Sequence, residues 1–235
     1  MARYAFSDLH GRLDLFEKIC NFINPEDELY CLGDCGDRGP HPWATIKAVI
    51  THPQVKVYLK GNHEDMLIKA FDEVVNQDHF GGEYGLLCYN GGSETFYGLM
   101  EELYPNDWVA KLRKLPTIAA VNNDKGDTVL LSHAGYTPGG DIPTPFDAMW
   151  DRNHFHDEWP EGFDNTVIIH GHTPIPYLQQ EGIVVKRNKL SYCNDHKIDI
   201  DLGAYSSGMV ALINLDTYQI HTIIDDELEK QLGLK

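Results

Sequence analysis

Positive charge is scarce in this chain. Its 235 residues carry 19 Lys and Arg against 36 Asp and Glu, a formal net charge of −17. Such a surface repels nucleic-acid backbones, so no nucleic-acid partner is expected. It does not bar a phosphorylated substrate, because divalent ions held in a pocket reverse the field locally. Long apolar runs are also missing. None approaches the roughly 18 residues of a membrane span, so no membrane partner is expected. No internal repeat or low-complexity stretch is present. The cysteines number five and lie scattered at Cys20, Cys31, Cys35, Cys88 and Cys193, without a C-x-x-C pair. That spacing fits neither a structural zinc site nor a disulfide framework, and it reads as reduced, buried thiols. The N-terminal residues run directly into a strand and a candidate metal ligand, which argues against a removable leader. The expected compartment is the cytoplasm.

What remains is ordinary globular material: 42% hydrophobic, 23% charged and 11% aromatic residues. The length fits a single α/β domain over residues 1–235. Residues 2–7 read as a first strand. Leu13, Phe16, Ile19, Phe22 and Ile23 then recur with helical period up to Pro25. Glu28 to Leu32 and Val55 to Leu59 read as further strands, separated by a helix carrying Trp43, Ile46, Val49 and Ile50. This alternation predicts a parallel sheet with right-handed crossovers. Residues 64–78 continue as helix. A glycine-rich break (Gly81, Gly82, Gly85, Gly91, Gly92) follows, then helix over 93–115 in two pieces split at Pro105. The 80–115 stretch interrupts the strand rhythm and is expected to be a helical cap insertion over the site. Strands are expected at 117–123, 127–132 and 166–169, and a short helix over 146–153 carrying Trp150 and Arg152. Residues 182–185, 198–202, 208–215 and 219–224 suggest antiparallel strands of a second sheet. The predicted architecture is a four-layer α/β sandwich, two mixed sheets with flanking helices.

Four segments carry the chemistry: Ser7-Asp8-Leu9-His10-Gly11, Gly33-Asp34-Cys35-Gly36-Asp37-Arg38-Gly39, Gly61-Asn62-His63-Glu64 and Gly171-His172-Thr173. Asp8, Asp34 and Asn62 follow at nearly even spacing, 26 and then 28 residues apart, the length of one strand–helix–strand unit. Each segment then sits at a strand end, where ligand sites of open α/β sheets gather. Asp8 and His10 are alternate residues and face alike. Asp34 has two oxygens and can bridge two ions, Asn62 adds a neutral oxygen, and His133 and His172 add nitrogen. This mixed set suits two divalent ions, with Mn²⁺ favoured and Fe or Zn compatible. Two such ions roughly 3.5–4 Å apart clamp a phosphoryl oxygen and activate a hydroxide. His63 is not needed as a ligand and can protonate a leaving alkoxide. Asp37 can orient it. Arg38 and Arg152 offer paired donors for phosphate oxygens.

Each assignment has a plainer rival. An isolated Asp-x-His is common by chance. Gly-Asn-His-Glu can be a turn with a helix cap, and Arg38 can simply pair with Asp37. His170 precedes Gly171 on a strand and is read as structural. His41, His52, His79, His154, His156, His196 and His221 have no motif around them and are assigned to surface or structure. The joint occurrence of all four segments, in order, favours a site.

These residues resemble the phosphoprotein phosphatase family of metallophosphoesterases, in its bacterial and phage-type branch. Its pattern is Gly-Asp-x-His-Gly, Gly-Asp-x-x-Asp-Arg-Gly and Gly-Asn-His-Glu, then later metal histidines. The likeness covers nearly the whole chain and extends to Asn90-Gly91-Gly92, Ser132-His133-Ala134-Gly135, Met149-Trp150-Asp151-Arg152, Gly171-His172-Thr173-Pro174 and Ile200-Asp201-Leu202-Gly203-Ala204-Tyr205. The resemblance implies a first metal on Asp8, His10 and Asp34 and a second on Asp34, Asn62, His133 and His172. It implies His63 as general acid supported by Asp37, with Arg38 and Arg152 on phosphate. Ser7 stands where the family usually has glycine, with little harm expected. Gly36 replaces a common aliphatic residue, which is expected to loosen its loop. Gly-His-x-His, the ending of related nucleases, purple acid phosphatases and cyclic nucleotide esterases, is absent, which argues against those branches.

The leading expectation is a dinuclear phosphomonoesterase, a serine/threonine protein phosphatase acting on a phosphorylated protein or small phosphoester through a hydroxide activated by two metals. Symmetrical diadenosine tetraphosphate hydrolases share the fold and most of these ligands, and form the alternative. A non-catalytic metal-binding regulatory module is a second alternative; it would be marked by loss of His63, Arg38 or a bridging Asp, and all are present.

Overall fold

The computed structural model describes residues 1–76, 80–186 and 189–234. Two five-stranded mixed sheets pack face to face. The first has β1 (Arg3–Phe6), β2 (Glu28–Cys31) and β3 (Val55–Tyr58), with β9 (Met209–Asn214) and β10 (Ile220–Ile224), in the order β10-β9-β1-β2-β3. The second runs β4-β5-β6-β8-β7, from β4 (Ile118–Asn122), β5 (Thr128–Ser132), β6 (Thr166–His170), β7 (Ser191–Tyr192) and β8 (Lys197–Asp199). β1, β2 and β3 are parallel, as are β5, β6 and β8.

The pleat sorts the side chains. Along β1, Phe6 enters the helix-side core, while Ala5 enters the layer between the sheets. That inter-sheet layer is aliphatic, with Leu32, Leu59, Leu131, Ile169, Ile198 and Ile213 among its members. The helix-side layer is closed by α1 (Leu13–Phe22), α2 (Pro42–Thr51) and α3 (Asn62–Phe71). Leu15, Phe16 and Ile19 of α1 face inward, as their spacing predicts, whereas Phe22 on the same stripe is exposed. α3 gives way to a π-helical turn, Asp72–Asn76, inside the region expected as continuous helix. His79 lies outside the described residues.

Several expectations need correction. The glycine-rich break contains a helix, α4 (Gly82–Tyr89), in which Leu87 is fully buried. α5 (Ser93–Met100) and α6 (Pro105–Arg113) split at Pro105, where proline takes the first helical position. Phe96, Leu99, Val109 and Leu112 from these helices join the same core as Trp43 and Leu67. The 80–115 stretch thus extends the first sheet's helical layer and meets the site through the turn between α4 and α5 and through Thr95 of α5. β9 and β10 belong to the first sheet, not the second. β9 is antiparallel to β1, with Ala5 opposite Ile213. Its run Val210-Ala211-Leu212-Ile213 alternates between the two cores, the pattern of an interior strand buried on both faces. Residues 182–185 form no strand, and β8 runs parallel to β6. Arg152 lies past the end of α7 (Pro145–Trp150).

Candidate active site

The loops after β1, β2, β3, β5 and β6 converge on one edge of the sandwich. Residues 8–11 are zipped to the loop after β2: Asp8 N–H donates to the Gly33 carbonyl at 3.1 Å, His10 N–H to Asp34 at 3.0 Å and Gly11 N–H to Cys35 at 2.8 Å. Close approach is enforced by missing side chains. A Cβ on Gly61 would lie 2.1 Å from Asp34 Oδ1, and one on Gly171 would lie 2.0 Å from Asp8 Oδ2. Six of the ten expected site residues, Asp8, His10, Asp34, Asp37, Arg38 and His172, have φ between 43° and 71°. Left-handed backbone at a non-glycine residue costs of order 1–3 kcal/mol, and surrounding structure must hold it in place.

Asp34 is the hub. Its Oδ2 lies 3.3 Å from His133 Nε2 and 3.8 Å from both His10 Nε2 and His63 Nε2. Its Oδ1 accepts the His63 backbone N–H at 3.0 Å. Asn62 Oδ1 faces two imidazoles, His133 Nε2 at 3.0 Å and His172 Nδ1 at 2.9 Å. Among the described residues, two buried donor triads result, His10–Asp34–His63 and Asp34–His133–His172, each with its atoms within 4.8 Å of one another. Asp34 is shared, as a bridging carboxylate would be.

The donor set fits divalent metal. His172 Nε2 is buried without a hydrogen-bond partner. His10 donates from Nδ1 to the Gly36 carbonyl at 3.0 Å, and His133 from Nδ1 to Leu32 at 2.8 Å, so both rings turn Nε2 inward, His10 toward Arg38 and His133 toward Asp34 and Asn62. Burial and the His63 charge hold His10 well below the ordinary imidazole range. Burial, with the charges of His133 and Arg152, does the same to His172. Burial opposes charge on His133 too, but Asp34 overrides it and lifts the group to about 10. Asp34 is driven well down: burial opposes this, and the charges of His133 and His63 prevail. Carboxylate against imidazolium is the balance that a bound cation would replace. Asp8 lies outside both triads. Its Oδ2 is held by the Ser7 hydroxyl and by His172 N–H at 3.0 Å.

On the outer side, His63 Nδ1 donates to Asp37 Oδ2 at 2.5 Å. Asp37 is in turn bonded by the Thr95 hydroxyl, and its N–H donates to Thr95 Oγ1 at 2.9 Å. Arg38 reaches both His10 Nε2 (2.9 Å) and His63 Nε2 (2.8 Å) with its two terminal nitrogens. The plain Arg38–Asp37 pairing is not what the structure adopts. Arg38 and Arg152 are both exposed, at the mouth of the site. Arg152 Nε donates to Thr173 Oγ1 at 3.2 Å, next to His172. His170 is structural in its contacts, bonding Tyr192 Oη at 2.7 Å. His154, expected at the surface or in a structural role, is buried on the same tyrosine at 3.2 Å.

Three supporting residues escape a motif reading. Glu64 is fully enclosed and accepts from Asp34 N–H, Cys35 N–H, Gly61 N–H and Tyr58 Oη, all at 2.8–3.0 Å. Its place in Gly-Asn-His-Glu is the one signal for it. Ser7 fixes Asp8 with a hydroxyl that glycine would lack. Thr95 arrives from α5, and nothing in its local sequence marks it. Gly36 is not a loosening point, because a Cβ there would meet Ile46 Cδ1 at 2.7 Å.

The symmetrical bis(5'-nucleosyl)-tetraphosphatase of Acidovorax ebreus (strain TPSY) is 30% identical over 141 residues, covering 59% of this chain and 45% of its own. Serine/threonine-protein phosphatase 2 of Escherichia coli (strain K12) is 28% identical over 143 residues, covering 59% of this chain and 60% of its own. The chain thus spans about half the length of the curated relatives it matches. Among solved structures, a Saccharomyces cerevisiae protein serine/threonine phosphatase superposes with TM-score 0.60 at 13% identity, over 96% of this chain and 80% of its own. A Sphaerobacter thermophilus metallophosphoesterase superposes with TM-score 0.55 at 17% identity, over 100% and 95%. At such identities the structures speak for the fold. The calcineurin-like phosphoesterase profile matches residues 1–204, and the chain belongs to that family.

Proposed function

We propose that the protein is a phosphomonoesterase, a serine/threonine protein phosphatase working with two divalent ions, Mn²⁺ foremost. Asp8, His10 and Asp34 would hold one ion, and Asp34, Asn62, His133 and His172 the other. When bound, the ions polarise the phosphoryl group and supply a nucleophile at neutral pH. The remaining work falls to side chains. Arg38 and Arg152 would bind and orient phosphate oxygens at the mouth. Once Arg38 turns from it to the phosphate, His63 would hold a proton at Nε2 for the leaving oxygen, with Nδ1 fixed by Asp37.

The observation that carries this reading is the His63–Asp37 pair, 2.5 Å long and buried on both sides. Burial opposes charge on His63, but Asp34 and Asp37 raise its pKa overall. A proton donor of this kind matters most when the leaving group is an alkoxide. Cleaving a dinucleoside tetraphosphate expels a phosphate oxygen, which leaves readily without one. Charge points the same way. Arg38 and Arg152 are the two arginines that support binding at the mouth, few cations for four linked phosphates on a chain of net charge −17.

The tetraphosphatase reading stays in play for one reason: curated relatives carry that name, including a Legionella pneumophila (strain Philadelphia 1) protein 24% identical over 217 residues. The deciding experiment is phosphate release with Mn²⁺ from a phosphothreonine peptide and from diadenosine tetraphosphate, assayed in parallel. Faster turnover of the peptide supports the phosphatase. Faster turnover of the dinucleotide replaces it with the tetraphosphatase, and inertness toward both would return the protein to a metal-binding module.

A further inference from the structure

A cavity of about 350 Å³ opens beside the site. His10 and Arg38 form its inner wall, so it continues the space where phosphate would lie. The outer wall is Pro174, Pro176 and Tyr177, at the start of α8 (Ile175–Gln180), opposite Tyr205 of α9 (Ala204–Ser207). Tyr177 and Tyr205 are 45% and 51% exposed, so two aromatic side chains stand largely bare next to a catalytic mouth.

The walls are fixed. Ile175 N–H donates to the Asp201 carbonyl at 3.0 Å, tying α8 to the loop that leads into α9. Ser206 and Ser207 N–H both donate to the Gly203 carbonyl at 2.9 Å, which holds the α9 turn. A preformed pocket spares an occupant the cost of ordering it. The charged groups lining the cavity are engaged elsewhere. Arg38 faces His10 and His63, and Asp201 is buried with Oδ1 accepting Gly203 N–H at 2.8 Å. The Ser206 and Ser207 hydroxyls are bonded to the Gly203 and Met209 carbonyls, which leaves tyrosine, proline and leucine surfaces and the neutral amide of Gln180, and these favour an uncharged side chain.

Resting on the phosphatase reading, we propose that this cavity seats the side chain next to the phosphorylated residue, and that it selects aromatic or aliphatic neighbours over acidic ones. The occupant is a peptide because the pocket is joined to the phosphate position and its one arginine, Arg38, is taken by the phosphothreonine phosphate, leaving none for further phosphates.

The test uses the full chain with Mn²⁺ and phosphothreonine peptides differing only at the positions immediately before and after phosphothreonine, Phe against Glu. The wild-type protein should favour the Phe peptides in kcat/KM by roughly tenfold, the scale of discrimination a hydrophobic pocket reaches. Tyr177→Ala and Tyr205→Ala should each bring that ratio toward one, and Tyr205→Phe should keep it. Metal content and thermal unfolding check that the variants are folded. Equal turnover of the Phe and Glu peptides by the wild type overturns the inference and leaves the phosphatase reading standing. A ratio unmoved in both alanine variants does the same. Turnover of diadenosine tetraphosphate with neither peptide cleaved overturns both; if the two alanine variants then slow that reaction, the tyrosines belong to a nucleoside pocket.

Discussion

His63 and His172 are both buried, and each follows a loop glycine or asparagine at the end of a strand, yet they are built oppositely. His63 is the second residue of α3, in ordinary helical backbone. Both of its ring nitrogens are partnered, one by Asp37 and one by Arg38, and its pKa is raised. His172 sits at φ 71°, has one nitrogen on Asn62 and the other bare, and its pKa is lowered. A group that must carry a proton needs a fixed tautomer and neighbouring carboxylates. A group that must offer a lone pair to a cation needs the reverse, with protonation disfavoured. Strain falls on the histidine with one ring nitrogen left unbonded, the position that a bound metal would stabilise.

The comparison breaks most completely at Asp34, the atom set both histidines share. Asp34→Asn removes the bridging charge, so metal content and turnover should fall together, the first read by elemental analysis and the second by phosphate release. Normal turnover would sink the two-metal reading. The next largest effect separates the two histidines directly. His63→Asn should lower turnover by roughly 10²–10⁴-fold while metal stays bound. Because His63 Nε2 also lies in a donor triad with His10 and Asp34, the metal measurement decides its role. Loss of an ion in that variant would make His63 a ligand.

The His63 side was also the more legible of the two. Asp8, Asp34 and Asn62 follow short parallel strands in βαβ units, where local periodicity fixes both the strand and its end. All ten expected site residues are gathered around one edge, although Asp8 is turned toward Ser7 and His172 and stands outside the donor triads. The supports were harder to see. Glu64 serves three backbone N–H groups from two loops, and Thr95 reaches Asp37 across 58 residues of sequence. Such contacts leave no local pattern. Sheet membership of β9 and β10 failed for the same reason. Their apolar alternation identifies them as strands, but the partner of β9 is β1, at the other end of the chain. The 182–185 segment has strand-like residues, but only Lys186 just after it bridges the edge strand β7, at Ser191.

Arg152 sharpens the contrast at a smaller scale. Arg38 is gripped by two histidines, whereas Arg152 is held to the protein through Thr173. Arg152→Ala should therefore raise KM and lower kcat, together about tenfold, the worth of one charge-assisted hydrogen bond. An unchanged enzyme would take Arg152 out of the pocket.

The smallest expected effect tests what supports the Arg152 side from below. Lys197 of β8 is fully buried, and its ammonium donates to the His154 carbonyl and, at 3.3 Å, to the Asp157 carbonyl. Those carbonyls close the 3₁₀ turn Asn153–His156, which follows Arg152 directly. Lys197→Met keeps most of the side-chain length and removes the donors. Leaving buried carbonyls unpaired costs about 1–3 kcal/mol, visible as a lower unfolding midpoint. If the turn also aims Arg152, KM should rise a few-fold with kcat nearly unchanged, and Lys197→Arg should recover part of it. A loss of stability with KM untouched would show that the turn is scaffold alone, and that Arg152 is aimed without it.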